Sequence, residues 1–178
     1  MLQLQIHGGR LFNEQTEEFV VVKPATIRLE HSLISIQKWE SKWHKSYLSL
    51  DHPRAEVLDY IRCMAIDSNV DPNFPLALTP LEIIQIKQYM DDPMTATTFS
   101  SLKRERPKKK TITAEVIYYW MTLFDIPFEC AKWHINQLLT LIKVCSIESH
   151  PPKMSKKEAG AQRNALNRAR RAKMGSSG

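Results

Sequence analysis

Apolar residues recur with one period before Ser32 and another after it, and this switch constrains the fold more than any other feature of the chain. Leu2, Leu4 and Ile6 alternate with Gln3 and Gln5, the period of two expected of a strand with one buried face. Gly8-Gly9 and "NEQT" at 13–16 are turn signals, "FVVVK" is rich in β-branched residues, and "TIRLEH" alternates again after Pro24. From "SLISIQKWESKW" onward the apolar steps are three and four, the helical period. The chain is therefore expected to be α+β. A small antiparallel β meander over 1–31 should pack one face on a mainly helical part over 32–150.

The helical part divides at recognisable signals. Ser32 or Ser35 can cap a first helix that places Ile36, Trp39 and Trp43 along one face. Pro53 suits the first turn of a second helix with Val57, Leu58, Ile61 and Met64 or Ala65 as its stripe. "DSNVDPNFP" reads as a breaker-rich loop. Thr79 and Glu82 have capping-box spacing around Pro80, which predicts the start of a third helix. A long polar connection, "DDPMTATTFSSLKRERPKKK", leads to a fourth helix capped by Thr113 and a fifth opened by Pro127. Pro151-Pro152 closes a single expected globular domain over 1–152.

One pair of residues raises the question of chemistry. In "IPFECAKWHINQLLTLIKVC", Cys130 and His134 lie four residues apart, which on a helix puts thiol and imidazole on one face. A zinc site would need further ligands, yet the other histidines (His7, His31, His44, His52 and His150) stand alone in sequence. A nucleophile would need an orienting group and an oxyanion hole, and no local signature surrounds Cys130. The favoured reading is a packing helix with Phe128, Ala131, Ile135, Leu138, Leu139, Ile142 and Cys145 as its stripe. A fourth helix bearing Ile117, Trp120, Met121 and Phe124 should be its antiparallel neighbour across "DIP". No phosphate-binding, dinucleotide, nucleophile-elbow or zincin motif occurs. No catalytic residue, metal ligand or cofactor is assigned, and a non-enzymatic role is expected.

Cys63, Cys130 and Cys145 are widely spaced and odd in number, as expected of buried free thiols in a reducing compartment. No apolar run approaches the roughly 20 residues of a membrane span. The N-terminus lacks a basic segment followed by an apolar one. A cytoplasmic location without membrane partners is the expectation.

Charge is distributed unevenly. The formal net charge is +6, but from Lys153 onward eight Lys/Arg face Glu158 alone, and residues 1–152 carry 17 basic against 18 acidic groups. The tail over 153–178 opens with a second capping box, Ser155 to Glu158, and holds only Leu166 and Met174 as large apolar residues. It cannot bury enough surface to hold a helix by itself, so it reads as a mobile arm or one that folds on a partner. With a second basic island at "KRERPKKK" it keeps a nucleic-acid-binding alternative open. The tail has no aromatic residue for base stacking.

Five blocks, "SLISIQKWESKWHKSYLS", "MTATTF", "ITAEVIYYWM", "IPFECAKWHINQLLTLIKVC" and "PPKMSKKEA…NALNRARR", occur in that order. Together, from about Leu2 to Lys173, the chain resembles a family of tail assembly chaperones from long-tailed bacteriophages. The resemblance implies a cytoplasmic role in the infected host, without enzymatic activity. The protein would bind the tape measure protein, help tail tube protein polymerise around it, and be absent from the mature virion. A frameshifted longer form is common in such families, and a long client implies several copies and self-association. A virion tail component is the other structural alternative. Apolar grooves that accept helices would serve this role, with Trp39, Trp43, Tyr118 and Tyr119 as partner-facing aromatics and Arg163, Arg168, Arg170 and Arg171 in an adaptable arm.

Overall fold

The computed structural model describes residues 1–13, 17–99, 111–149, 164 and 170. Its four strands are β1 (Leu2–Ile6), β2 (Gly9–Asn13), β3 (Glu18–Val22) and β4 (Ala25–Leu29). The expected meander is not formed. β1 pairs with β4 and β2 with β3, both antiparallel. Leu2↔Leu29 through Ile6↔Ala25 and Gly9↔Val22 through Asn13↔Glu18 keep one register. The four strands are the two arms of one long hairpin, interrupted where His7-Gly8 faces Lys23-Pro24.

The interruption has a local cause. Pro24 has no N–H to donate to a ladder, and Gly8 sits at φ 69°. A Cβ at Gly8 would lie 2.5 Å from the Val22 carbonyl oxygen and 2.7 Å from the Pro24 nitrogen, so only glycine fits. Gly8→Ala is expected to cost roughly 1–3 kcal/mol, read as a lower urea midpoint; an unchanged midpoint would remove this account of the bend.

Alternation then buries one face of the inner hairpin, where Leu4, Ile6, Ile27 and Leu29 are buried while Gln3, Gln5, Thr26 and Arg28 are exposed. The Glu30 amide donates to the Met64 carbonyl at 2.9 Å, and that of Ile66 to the Arg28 carbonyl at 3.0 Å. The backbone at Met64–Ile66 thereby covers the outer edge of β4.

The helices are α1 (Leu33–Trp43), α2 (Arg54–Met64), α3 (Pro80–Asp91), α4 (Ala114–Leu123) and α5 (Ile135–Ser149). Two small antiparallel ladders with these helices make the fold α+β, as expected. Ser32 caps α1, its Oγ accepting from the Ser35 amide at 3.3 Å. The capping box at α3 is complete: the Glu82 amide donates to Thr79 Oγ1, and the Thr79 amide to Glu82 Oε2 at 2.7 Å. "NFP" departs from the simple loop reading, since Phe74–Ala77 forms a 3₁₀ turn that buries Phe74.

Two other expectations fail for long-range reasons. Thr113 stands at the N-cap of α4 but makes no capping hydrogen bond. Buried Glu40 of α1 takes that place, accepting from the Ala114 amide at 2.7 Å and the Tyr47 amide at 2.9 Å. Burial pushes the Glu40 carboxyl up, against the pull of those two bonds. Ser46 Oγ donates to the Ile112 carbonyl, and the Ile112 amide to Ser49 Oγ at 3.0 Å, so the loop after α1 holds the approach to α4.

The fifth helix does not start at Pro127. Phe128–Lys132 is a 3₁₀ segment and Trp133 is extended. The Ile135 amide, which a continuous helix would direct at Ala131, donates instead to the His31 carbonyl at 2.7 Å. Phe128 consequently lies 60% exposed, outside the core stripe expected for it. α4 finds its main partner in α1, not in α5.

The core gathers Leu33, Ile36 and Trp39 of α1, Tyr60, Ile61 and Met64 of α2, Ile86 of α3, Ile117 and Met121 of α4, and Ile135 and Leu138 of α5. The chain divides into two compact units, Met1–Lys143 and Val144–Gly178. In the second unit, residues 144–149 continue α5, and Asn164 and Arg170 are helical and exposed. The double proline and the predicted capping box of the tail lie outside the described residues. Among the described residues, no helix is long and apolar enough to cross a membrane.

Candidate functional site

The Cys130–His134 pair is dissolved by the break before α5. His134 Nε2 donates to the Tyr89 carbonyl at 3.0 Å, and its Nδ1 accepts from the Asn136 amide at 3.3 Å. A carbonyl only accepts and an amide N–H only donates, so the backbone sets the neutral tautomer. Both ring nitrogens are occupied, which leaves neither to activate the thiol of Cys130. Burial pushes the His134 pKa down, opposed by the bond to Tyr89. Cys130 is buried and free, while Cys63 and Cys145 are half-buried free thiols rather than fully buried ones. Among the described residues, no cluster of three or more His, Cys, Asp or Glu side chains could hold a metal ion.

His134 belongs to a run of rings through the core. Trp43 stacks on Trp39 at 5.9 Å, Trp39 meets Tyr47 at 5.1 Å, and Tyr47 stacks on Tyr60 at 3.6 Å between centroids. Tyr60 leads to His31 at 5.6 Å, His31 to His134 at 5.2 Å, and His134 to Tyr89 at 5.0 Å. Trp39, expected to face a partner, is fully buried in this run and donates Nε1 to the Glu56 carbonyl at 3.0 Å. It is a core residue. Its side chain points between α1 and α2, where the largest ring fills the gap.

Trp43, one turn further along, is half-buried and lines an open groove of about 610 Å³. Arg54, Leu58 and Arg62 of α2 recur every four residues and form one wall. Leu11 and Phe12 of β2 line it from the hairpin, and Leu76, Leu78 and Ile83 from the segment that enters α3. Asp59 organises the rim. It accepts from Lys42 Nζ at 2.7 Å, Trp43 Nε1 at 2.6 Å and the Arg62 guanidinium. Burial alone would raise its pKa, but the bonds from Lys42 and Trp43 and the charges of Arg62 and Lys42 hold it below the ordinary value. The ammonium groups of Lys42 and Lys45 lie 5.5 Å and 5.7 Å from the Trp43 ring, within cation–π range. Trp43 is therefore a fixed aromatic plate with a polar edge tied down.

Tyr118 and Tyr119 lie on α4 and do not line the groove. Tyr118 Oη donates to Gln37 Oε1 at 3.1 Å, and its ring meets Phe128 edge-on at 6.0 Å. Tyr119 is 63% exposed, and Leu123 is exposed as well. The sequence-predicted aromatics thus separate into a core ring, a groove ring and a second surface. Arg163, Arg168 and Arg171 lie outside the described residues, and Arg170 is exposed.

Sequence reasoning missed Phe12, Arg54, Asp59, Arg62, Leu76 and Ile83. The four-residue repeat of Arg54, Leu58 and Arg62 was a visible signal, overshadowed by the apolar stripe beside it. Asp59 carried none, because its role depends on α1. In comparisons with family models, with curated proteins and with solved structures, nothing matches this chain.

Proposed function

We propose that the chain is a phage tail assembly chaperone that binds the tape measure protein, keeps it soluble and promotes assembly of tail tube protein around it. The observation that carries the reading is the groove of about 610 Å³ in which Trp43 is held by Asp59. A chaperone for a long, helical, apolar client needs an apolar concavity ready before the client arrives. The ordered sequence blocks shared in resemblance with tail assembly chaperones support the same assignment. The role is non-enzymatic, in the host cytoplasm, with self-association allowing many copies along one client. The protein then leaves before the virion matures.

Co-expression with the adjacent tape measure gene product tests this. The expected outcome is a soluble complex on co-purification, with the client insoluble when expressed alone. Absence of any complex, or presence of the chain in purified particles at the stoichiometry of a tail component, would overturn it. A gel-shift titration showing tight, salt-sensitive binding to DNA without client capture would favour the nucleic-acid reading instead.

A further inference from the structure

We propose that the groove beside Trp43 takes one amphipathic helix of a partner protein whose apolar stripe is flanked by carboxylates. This rests on the chaperone reading for the identity of the partner, and on the groove's own chemistry for the kind of helix.

The apolar part of the argument is the lining. Leu58, Leu76, Leu78 and Ile83 present aliphatic surface, and Phe12 extends it outward. Phe12 is 50% exposed and meets Phe19 edge-on at 5.3 Å. At about 610 Å³ the groove lies within the roughly 300–1,000 Å³ range of pockets that bury drug-sized ligands, room for several side chains of one helix face.

The charge is one-sided. Lys42, Arg54 and Arg62 line the groove, and Asp59 is the sole carboxylate among the described lining residues. Asp59 is already consumed by Lys42, Trp43 and Arg62, so it offers little to an incoming cation. Arg62 keeps further N–H donors after that pairing. An occupant with lysines at its edges would be repelled, and one with carboxylates attracted.

Spacing adds register. Arg54 and Arg62 lie two turns apart on α2, about 12 Å along its axis, with Leu58 midway between them. A helix lying alongside α2 would meet both guanidinium groups with acidic residues seven or eight positions apart, and would place an apolar residue over Leu58.

The test uses the full chain and two synthetic amphipathic peptides with identical Leu/Ala faces. One carries Glu at flanking positions seven apart, the other Lys. Binding is followed by fluorescence anisotropy at low and high salt. The Glu peptide should bind at least tenfold more tightly than the Lys peptide, and high salt should narrow that gap. Arg54→Glu alters an exposed side chain and should lower affinity for the Glu peptide about tenfold while improving that for the Lys peptide. Far-UV circular dichroism and the urea midpoint confirm that the variant stays folded. Equal binding of both peptides, or no change in Arg54→Glu, overturns the proposal. Self-association of the chain that is lost in Phe12→Asp also overturns it, because a second copy would then be the occupant. The same variant separates the two readings. If the tape measure protein co-purifies equally well with Arg54→Glu, the chaperone function stands and this groove assignment falls. If only the Glu peptide binds and the tape measure protein does not, the groove assignment stands and the partner's identity falls.

Discussion

Replacing Trp39 with alanine is expected to remove roughly 3–5 kcal/mol of stability, a large share of a total that usually lies at about 5–15 kcal/mol for a domain. The indole is fully buried. It contacts Trp43, Tyr47 and His52 in ring packing at 5.9, 5.1 and 4.6 Å. Its loss would leave a cavity that Trp43 of α1 and the loop rings of Tyr47 and His52 cannot close, and would remove the indole N–H from the Glu56 carbonyl. Trp39→Phe should retain part of the packing and lose that hydrogen bond, giving an intermediate urea midpoint. Trp43→Ala should cost far less, since that ring already faces open space, and should act on partner binding instead. Equal midpoints for the two alanine variants would contradict the division between a core indole and a groove indole.

Acidification between pH 6.5 and 4.5 is expected to destabilise the fold by about 2–3 kcal/mol through His31 alone, at about 1.4 kcal/mol per pH unit. His31 is buried and its Nδ1 pairs with the Tyr60 hydroxyl at 2.5 Å. Burial, helped by the neighbouring His134, pushes its pKa down to about 3. In this window the unfolded chain takes up a proton at His31 and the folded chain does not, so the unfolded state binds more protons and stability falls with pH. His134 acts in the same direction. The other polar groups around the pair are Tyr60 on α2, Tyr89 on α3, and Glu30, which accepts from the Tyr89 hydroxyl and pairs with the N-terminal ammonium at 3.0 Å. Below the window, Glu56, Asp59 and Asp67, all held below their ordinary values, add to the loss. Glu40 opposes it, because its raised pKa favours the protonated folded state. Urea midpoints measured across the window should fall steadily, and His31→Gln should flatten the slope. A midpoint independent of pH, or an unaltered slope in His31→Gln, would refute the assignment.

Tertiary effects entered where one residue had to choose among several satisfied arrangements. Trp39 and Trp43 are one turn apart and share a face by period, yet one is a core ring and the other a groove ring. Period reports the direction of a side chain, while depth depends on how closely α2 approaches at each turn. Phe12 shows the reverse case. Leu11 and Phe12 are adjacent apolar residues without alternation, so the local pattern singled out neither, and the pairing of β2 with β3 on an extended hairpin, rather than within a meander, is what carries Phe12 to the groove.

The order of strands and helices, the caps at Ser32 and Thr79, and the helix starts marked by Pro53 and Pro80 were determined by the chain locally. Each rests on groups within about four residues of one another, so no distant partner was needed to read them. The bent hairpin register, the Glu40 cap on α4, the break from Pro127 to His134 and the basic rim around Asp59 were decided only in three dimensions. In the last three, groups far apart in the chain satisfy one another, as the His31 carbonyl satisfies the Ile135 amide. A buried hydrogen bond of that kind outweighs the small local preference for continuing a helix.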